Sequence, residues 1–143
     1  MGIALSDYND GRASVVSRNF LYSDIDPTFT IHPAYNDILP VVDIDAIRLS
    51  LRNLVLTNNH ERPFQPQLGS GLKALLFENA HPFTAYALKN TIQNLIEKYE
   101  PRVSNVNVDI IDDSDRNAYQ VTITFLATYD VVADVTFYLN RIR

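Results

Sequence analysis

Two oppositely charged side chains flank a proline in the triplet Glu100-Pro101-Arg102. Proline fixes its own φ angle and disfavours helical geometry in the residue before it, so the triplet predicts a rigid corner at a helix end. An arginine on such a corner can form two parallel hydrogen bonds with a carboxylate, or it can bind exposed backbone carbonyls. The corner is either a helix stop with solvated charges or a pre-shaped contact for another protein, and we favour the contact.

The same residue types recur upstream in Glu61-Arg62-Pro63-Phe64, at the start of a segment that contains further proline and glycine. The prolines exclude a regular helix, while the glycines open backbone angles that other residues avoid. We therefore predict a shaped loop over Pro63–Gly71, ordered by its own aromatic and proline contacts, with Phe64 turned inward. A short apolar segment, Leu72–Phe77, follows and is predicted to add leucines to the core.

Other residues with chemical potential are isolated in the sequence. His32, His60 and His81 have no neighbouring ligands at metal-site spacing, so we interpret them as surface histidines. Asp24 and Asp26 lack the further ligands of a calcium loop and are predicted to be solvated turn carboxylates. The sequence also contains no cysteine, phosphate-binding loop or Gly-x-Ser-x-Gly motif. We predict no catalytic residues, no cofactor site and no metal site.

Composition narrows the class of protein further. A chain of 143 residues with 46% hydrophobic residues is long enough for one domain with its own core. The net charge is -5 and the basic residues are scattered, which argues against a nucleic-acid-binding surface. No apolar run approaches the roughly 20 residues of a membrane-spanning helix, so no membrane partner is predicted.

Two segments have the apolar periodicity of amphipathic helices. The first is Asp43–Leu56, where one stripe contains Ile44, Ile47, Leu51, Leu54 and Val55. The second is Phe83–Tyr99, which Pro82 suits as a first-turn residue and which Pro101 ends. Its stripe contains Ala85, Leu88, Ile92, Leu95, Ile96 and Tyr99.

The rest of the chain alternates apolar and polar residues, as half-buried antiparallel strands do. Strands are predicted at Val106–Ile110, Tyr119–Ala127 and Val131–Leu139. Helices followed by strands indicate an α+β fold, with two main helices packed on one face of a small antiparallel sheet. We divide the chain into an extended N-terminal segment, residues 1–40, and an α+β domain, residues 41–143.

The ordered motifs together resemble the baseplate wedge family of contractile phage tails, whose members initiate the tail sheath and were once labelled lysozyme-like. Related subunits occur in type VI secretion baseplates. The resemblance covers about Asp43 to Arg143, while the first forty residues carry no match. One departure is Asn59-His60, which stands where the family has a glycine before the glutamate. The motifs that carry the resemblance are Glu61-Arg62-Pro63-Phe64, Gly69-Ser70-Gly71-Leu72, Leu75-Leu76-Phe77-Glu78 and Tyr99-Glu100-Pro101-Arg102.

The resemblance implies a structural protein of the virion tail baseplate, assembled in the host cytoplasm. Its expected partners are the core-bundle proteins of the baseplate wedge and the tail sheath protein, with tube or hub proteins as further candidates. In the family the Glu-Pro-Arg corner is associated with docking to the core bundle, which here points to Glu100, Pro101 and Arg102. Glu61 and Arg62 match the second motif and are included among the expected partner-binding residues.

The family's old label makes a peptidoglycan-cleaving glycoside hydrolase the alternative from another class. That chemistry needs two carboxyl groups across the glycosidic bond, one of them with a raised pKa. The candidates are Glu61, Glu78, Glu97 and Glu100, but an arginine paired with Glu61 or Glu100 would lower the pKa of that carboxyl. We favour the assembly protein; an adaptor unrelated to tails is a third hypothesis.

The last predicted strand, Val131–Leu139, ends the sheet and leaves one side open to pairing. It contains no proline, and its only charged residue is Asp134, whereas soluble proteins usually protect such edges with charges, a proline or a bulge. We predict partner binding at Asp134, Val135 and Thr136 by addition of a strand from a sheath subunit. The alternative is an edge covered by the N-terminal segment around Phe29–Ile31.

Overall fold

The computed structural model describes residues 20–34, 36–78, 81–127 and 130–141. The chain divides into two compact units, Met1–Ile47 and Arg48–Arg143, and the boundary falls inside the first helix. The division at residue 40 made from the sequence remains a prediction. Within the described ranges, no helix has the length and apolar character needed to cross a membrane.

Two short strands pair with each other within the described residues of the first unit. Strand β1 (Ser23–Ile25) runs antiparallel to β2 (Pro40–Val42), and an isolated bridge joins Ile31 to Ile38. The extended character expected of the N-terminal segment is thus seen in residues 20–42, whereas the first nineteen residues lie outside the described part of the chain. Ile31, which we considered as a cover for the last strand, has Ile38 as its bridge partner.

Helix α1 spans Asp43–Leu56, the range that the apolar periodicity predicts. The carboxylate of Asp43 accepts a hydrogen bond from the N–H of Leu21 at 2.9 Å, and its own N–H donates to Tyr22 O at 2.9 Å. These bonds fix how the chain enters the helix. The buried positions of α1 are Ala46, Ile47, Leu51, Leu54 and Val55.

Two further helices precede the sheet: α2 (Leu72–Leu76) and α3 (Pro82–Tyr99). His81 caps α3 because its ring nitrogen Nδ1 accepts the N–H of Phe83 at 3.3 Å, and Pro82 follows in the first turn. Helix α3 packs on the first strand of the sheet, and α2 packs on α3. The buried residues of the two helices include Leu72, Leu76, Leu88, Ile92, Leu95 and Ile96.

The sheet of the second unit has three antiparallel strands in the order β3-β4-β5. They are β3 (Val103–Asp113), β4 (Ala118–Ala127) and β5 (Val131–Asn140). The α+β class is confirmed. The predicted bounds of β3, Val106–Ile110, were wrong at both ends. The pairing register shifts between Ser104 and Asn107 and hides the period of two at the start, and at the end the polar residues Asp112 and Asp113 still pair with β4.

Alternation of buried residues places one face of the sheet in the core. In β4, which lies between the other two strands, every second residue is buried. The buried residues of β4 on this face are Tyr119, Val121, Ile123, Phe125 and Ala127. On β5 the same face contains Ala133, Phe137 and Leu139. Among the residues that the structure describes, no further strand pairs with the outer edge of β5.

Candidate functional site: a braced corner, a rigid loop and a strand edge

Helix α3 ends at the predicted corner. Tyr99 is its last residue, and the N–H of Glu100 still donates to Ile96 O at 2.8 Å. Pro101 then turns the chain, and β3 begins at Val103. The corner therefore joins the helix that covers the sheet to the first strand of that sheet.

The carboxylate of Glu100 does not project into solvent at this corner. Glu100 is only 4% exposed, and both of its oxygens are hydrogen-bonded. Arg102 donates from Nε to Oε1 and from Nη2 to Oε2, each at 2.6 Å, in a bidentate pair. Ser50 of α1 donates its hydroxyl to Oε2 at 2.7 Å. The sequence predicted that Glu100 presents its carboxylate to a partner. In the fold this carboxylate is buried and bound by Arg102 and Ser50 instead.

The pKa of the Glu100 carboxyl is set by opposing effects. Burial raises the pKa, but the hydrogen bonds from Arg102 and Ser50, together with the charge of Arg102, outweigh it and hold the pKa below its ordinary value. Glu100 is thus an ionised, buried brace between α1 and the corner. The residues of the corner that face outward are Pro101, which is exposed, and Arg102, whose side chain is 30% exposed.

The loop that follows α1 is closed by its own polar contacts. The carboxylate of Glu61 accepts the backbone N–H of Asn58 at 2.9 Å and its Nδ2 at 2.6 Å. These hydrogen bonds lower the pKa of the Glu61 carboxyl. The predicted contact residue Glu61 is therefore a loop-forming residue, while Arg62 beside it is exposed.

Backbone contacts complete the closure of this loop. The N–H of His60 donates to Pro66 O, and the N–H of Ser70 donates to Thr57 O, both at 2.8 Å. Gly69 lies against the chain so closely that a Cβ atom there would stand 2.5 Å from the carbonyl carbon of Asn58. The backbone of Asn58 therefore leaves no room for a side chain at this position, which explains why glycine is needed there.

The hydroxyl of Tyr99 connects the loop to the corner. It donates to Gln67 O at 3.0 Å, and Tyr99 directly precedes Glu100. The two charged motifs, which lie far apart in the sequence, are thereby attached to the same helix end. Next to this bond, a shallow depression of about 400 Å³ is lined by Phe64, Gln65, Pro66, Gln67, Leu68 and Tyr99.

Phe64 is 97% exposed, so the prediction of an inward-facing ring was wrong. Hydrogen bonds and the close approach of Gly69 shape the loop without using the ring. The leucines of the next segment behave largely as predicted, since Leu72 and Leu76 are buried and Leu75 is half-buried. A large apolar side chain on a rigid loop is thus left available for a contact.

The third predicted region lies on β5, which is an edge strand of the three-stranded sheet. Asp134 and Thr136 are exposed, and Val135 is half-buried on the core side. The hydroxyls of Thr136 and Thr122 lie 3.1 Å apart across the strand pair. From α1, Arg48 donates its Nε–H to the backbone carbonyl of Asp134 at 2.8 Å. The backbone carbonyl of Asp134 on this edge is therefore already bound by Arg48.

The contacts of three residues that shape the site were not predicted from the sequence. Ser50, Arg48 and the Tyr99 hydroxyl act over 50, 86 and 32 positions of sequence separation. Ser50 offered a signal, because it is a small polar residue one position before the fully buried Leu51. Arg48 and Tyr99 offered none, since an arginine on a helix surface and an aromatic on an apolar stripe have simpler explanations.

Hydrogen bonds hold two of the four carboxylates considered for glycoside hydrolysis, and the other two are exposed. Hydrogen bonds lower the pKa of the Glu61 carboxyl and of the Glu100 carboxyl. A general acid in glycoside hydrolysis needs a raised pKa instead. Glu78 and Glu97 are exposed side chains, and Glu97 accepts a hydrogen bond from Gln93 on its own helix. Neither Glu61 nor Glu100 is therefore suited to protonate the oxygen of a glycosidic bond.

A small α+β domain with a braced charged corner, a rigid loop that exposes a phenylalanine and an edge strand has the features of a protein-docking module. The chain matches the family model described as baseplate wedge protein gp25 over residues 42–135, and it belongs to that family. It is 35% identical over 108 residues to baseplate wedge protein gp25 of Enterobacteria phage T4. The aligned region covers 75% of this chain and 80% of the relative. The family places the chain among the baseplate proteins of contractile tails, as the resemblance implied.

Solved structures share the fold at low sequence identity. A candidate tail lysozyme from Geobacter sulfurreducens superposes with a TM-score of 0.60 at 17% identity, covering 68% of this chain and 89% of the other. A chain of the type VI secretion baseplate complex gives 0.56 at 14% identity, covering 66% and 89%. A chain of the anti-feeding prophage baseplate gives 0.53 at 18% identity, covering 85% and 87%.

The Glu100 brace predicts a defined dependence of stability on pH. Because the pKa of Glu100 is lower in the folded protein than its ordinary value of 4.5, its stabilisation is present above that value and is lost as pH falls through the folded pKa. Glu100→Gln should cost about 1.5–3 kcal/mol of unfolding free energy at neutral pH. The deficit should shrink as the solution is acidified.

Urea denaturation of both proteins at several pH values measures this deficit. The exposed Glu97 gives a matched control, and Glu97→Gln should show no comparable pH-dependent difference. A Glu100→Gln deficit that stays constant down to acidic pH would contradict the assignment of the charged brace.

Exposure of Phe64 predicts a variant that is neutral for folding. Phe64→Ala should change the unfolding free energy by less than about 0.5 kcal/mol, as surface substitutions do. Leu72→Ala is the matched control, because Leu72 is 2% exposed and its truncation should cost about 2–5 kcal/mol. Thermal melts of both variants make the comparison, and a similar loss in the two would place Phe64 inside the core.

Proposed function

We propose that this protein is a non-enzymatic component of the baseplate wedge of a contractile tail, which docks on the wedge core bundle and starts the tail sheath. The observation that carries the proposal is the bidentate Glu100–Arg102 pair at the proline corner, in a chain of this family. Its partners would be the core-bundle proteins and the sheath protein. The virion tail baseplate is the site of action.

The corner suits docking because Arg102 is oriented before it meets a partner. Two hydrogen bonds to a buried carboxylate restrict its side chain, so less conformational entropy is lost on binding. Glu100 already balances the charge of the guanidinium. A neutral acceptor therefore fits the exposed part of Arg102 better than a second carboxylate does. Unsatisfied carbonyls at the C-terminal end of a helix are such acceptors, and a helical bundle has several.

The loop attached to Tyr99 extends this docking surface. Phe64 and Arg62 project from a loop whose backbone is already closed by hydrogen bonds, so binding would not have to order it. An exposed aromatic and an arginine are the residue types that contribute most to protein interfaces. Glu61 contributes through the loop, as Glu100 contributes through Arg102, by holding the contact residues in place.

The edge of β5 is the proposed platform for the sheath. Successive residues of an antiparallel edge strand point their N–H and C=O groups alternately towards the neighbour and away from it. The Arg48 contact indicates that the carbonyl of Asp134 points away from β4, and Thr136, two residues further, shares that direction. A strand from a sheath subunit could pair there, with Val135 held on the core side.

Docking through Arg102 predicts a loss of assembly in a folded variant. Arg102→Lys keeps a positive charge beside Glu100 but loses the planar fork, so co-purification with wedge proteins should fall about tenfold or more. Arg102→Ala is less informative because it would leave Glu100 buried without its ion pair.

Ser50→Ala is the matched control for this experiment. It removes one hydrogen bond from Glu100 and leaves the bidentate pair in place, so it lowers stability without changing the proposed contact. Equal losses of assembly for Ser50→Ala and Arg102→Lys, at equal melting temperatures, would show that Arg102 acts through stability and not through docking.

Sheath initiation on β5 predicts a separate effect at Thr136. Thr136→Pro removes the N–H that faces the free edge and leaves the pairing with β4 in place, so baseplates should assemble but carry no sheath. Thr136→Val keeps the N–H and should support normal sheaths. Electron microscopy of assembled particles compares the two, and full-length sheaths on the proline variant would exclude this strand as the starting point.

A further inference from the structure

The β5 strand has the composition of a strand that pairs with copies of itself. Between Val131 and Asn140 the residues are mainly β-branched or aromatic, the only charge is Asp134, and there is no proline. Segments of this kind on a free edge promote association between chains unless something protects them. Val132, at 69% exposure, adds an apolar side chain to the open face near the start of the strand.

Arg48 supplies a protecting contact from outside the strand. Its Nε–H binds the carbonyl of Asp134 at 2.8 Å, although the two residues are 86 positions apart. The close approach of the Thr122 and Thr136 hydroxyls is typical of a non-hydrogen-bonded pair, in which both residues direct their backbone groups away from each other. Asp134 lies two residues from Thr136 and has the same orientation. The guanidinium therefore occupies an acceptor on the free edge.

We propose that Arg48 guards the edge of β5 and prevents two copies of this protein from pairing through that strand. The guard is a hydrogen bond from a helix side chain, where other edge strands have a lysine, a proline or a bulge within the strand. An incoming strand that extends to Asp134 has to displace Arg48. The edge is accordingly closed at Asp134, and on the C-terminal side of Asp134 no strand of the described residues pairs with it.

The chemistry of β5 identifies a second copy as the occupant when the guard is removed. Antiparallel self-pairing with Thr136 opposite Thr136 places Asp134 opposite Tyr138, so the two carboxylates are not opposed. In this register the carbonyl of Asp134 accepts the N–H of Tyr138 from the other copy, because residues with outward backbone groups form the hydrogen-bonded pairs. That carbonyl is the one that Arg48 occupies.

Protection by Arg48 acts in the isolated protein, although it concerns the edge that the proposed function assigns to the sheath. Its test requires no baseplate and no sheath protein. Failure of the guard would leave the sheath experiment on Thr136 unaffected, and a failed sheath experiment would leave the guard in place. The two results are therefore distinguishable.

The experiment compares the masses of purified variants by size-exclusion chromatography with light scattering over a range of protein concentrations. Wild type should be monomeric, and Arg48→Ala should form a dimer. Its dimer dissociation constant should be lower than that of wild type by about tenfold or more, since two edge carbonyls are released per dimer. Arg52→Ala is the matched control, because Arg52 is an exposed arginine one turn further along α1, and it should remain monomeric.

A second variant identifies the surface that pairs. Thr136→Lys in the Arg48→Ala background places two lysines opposite each other in the self-paired register and should restore the monomer. Amide hydrogen exchange at Thr136 and Tyr138 should slow only in the dimer. A monomeric Arg48→Ala, a dimer that persists with Thr136→Lys, or a dimeric wild type would each overturn the proposal.

Discussion

The bidentate pair between Glu100 and Arg102 is the interaction on which the second unit depends. It lies where α3 passes into β3, and the Ser50 hydroxyl brings α1 to the same carboxylate. A buried ion pair adds little net stability compared with apolar packing, but breaking one is costly because a charge remains without its partner. The brace therefore constrains the geometry of three segments, namely the second half of α1, the end of α3 and the start of β3. If these segments are misplaced, the buried carboxylate of Glu100 loses its partners.

The amphipathic elements could be predicted from the sequence because their periods are strong. Apolar stripes defined α1 and α3, and alternation defined β4 and β5, to within one residue of their bounds. The start of β3 was missed because a shift in register interrupts the alternation. Helix and strand positions follow from local patterns, whereas the loop between α1 and α2 depends on contacts that span its length, such as the bond from His60 to Pro66.

The candidate site was only partly predictable, for a physical reason. The sequence indicated which residues carry charge near the corner and the loop, but not which of them would point inward. Glu100 is buried since two donors compensate its desolvation, and one of them, Ser50, lies 50 residues away. Phe64 points outward since the loop is closed by polar bonds and needs no aromatic core. Charged residues are usually exposed and aromatic residues are usually buried. Residue type alone therefore predicted an exposed Glu100 and a buried Phe64, the reverse of what the fold shows.

The contrast between Gly69 and Phe64 has a consequence for how this surface can diverge. At position 69 any side chain would collide with the backbone of Asn58, so the frame of the loop permits no change there. At position 64 the side chain is 97% exposed, and the hydrogen bonds that close the loop are made by other residues. Position 69 must therefore stay glycine to keep the loop backbone, whereas position 64 can accept other side chains. Single substitutions at the tip of the loop can therefore change the side chain that this surface displays while the loop backbone stays as it is.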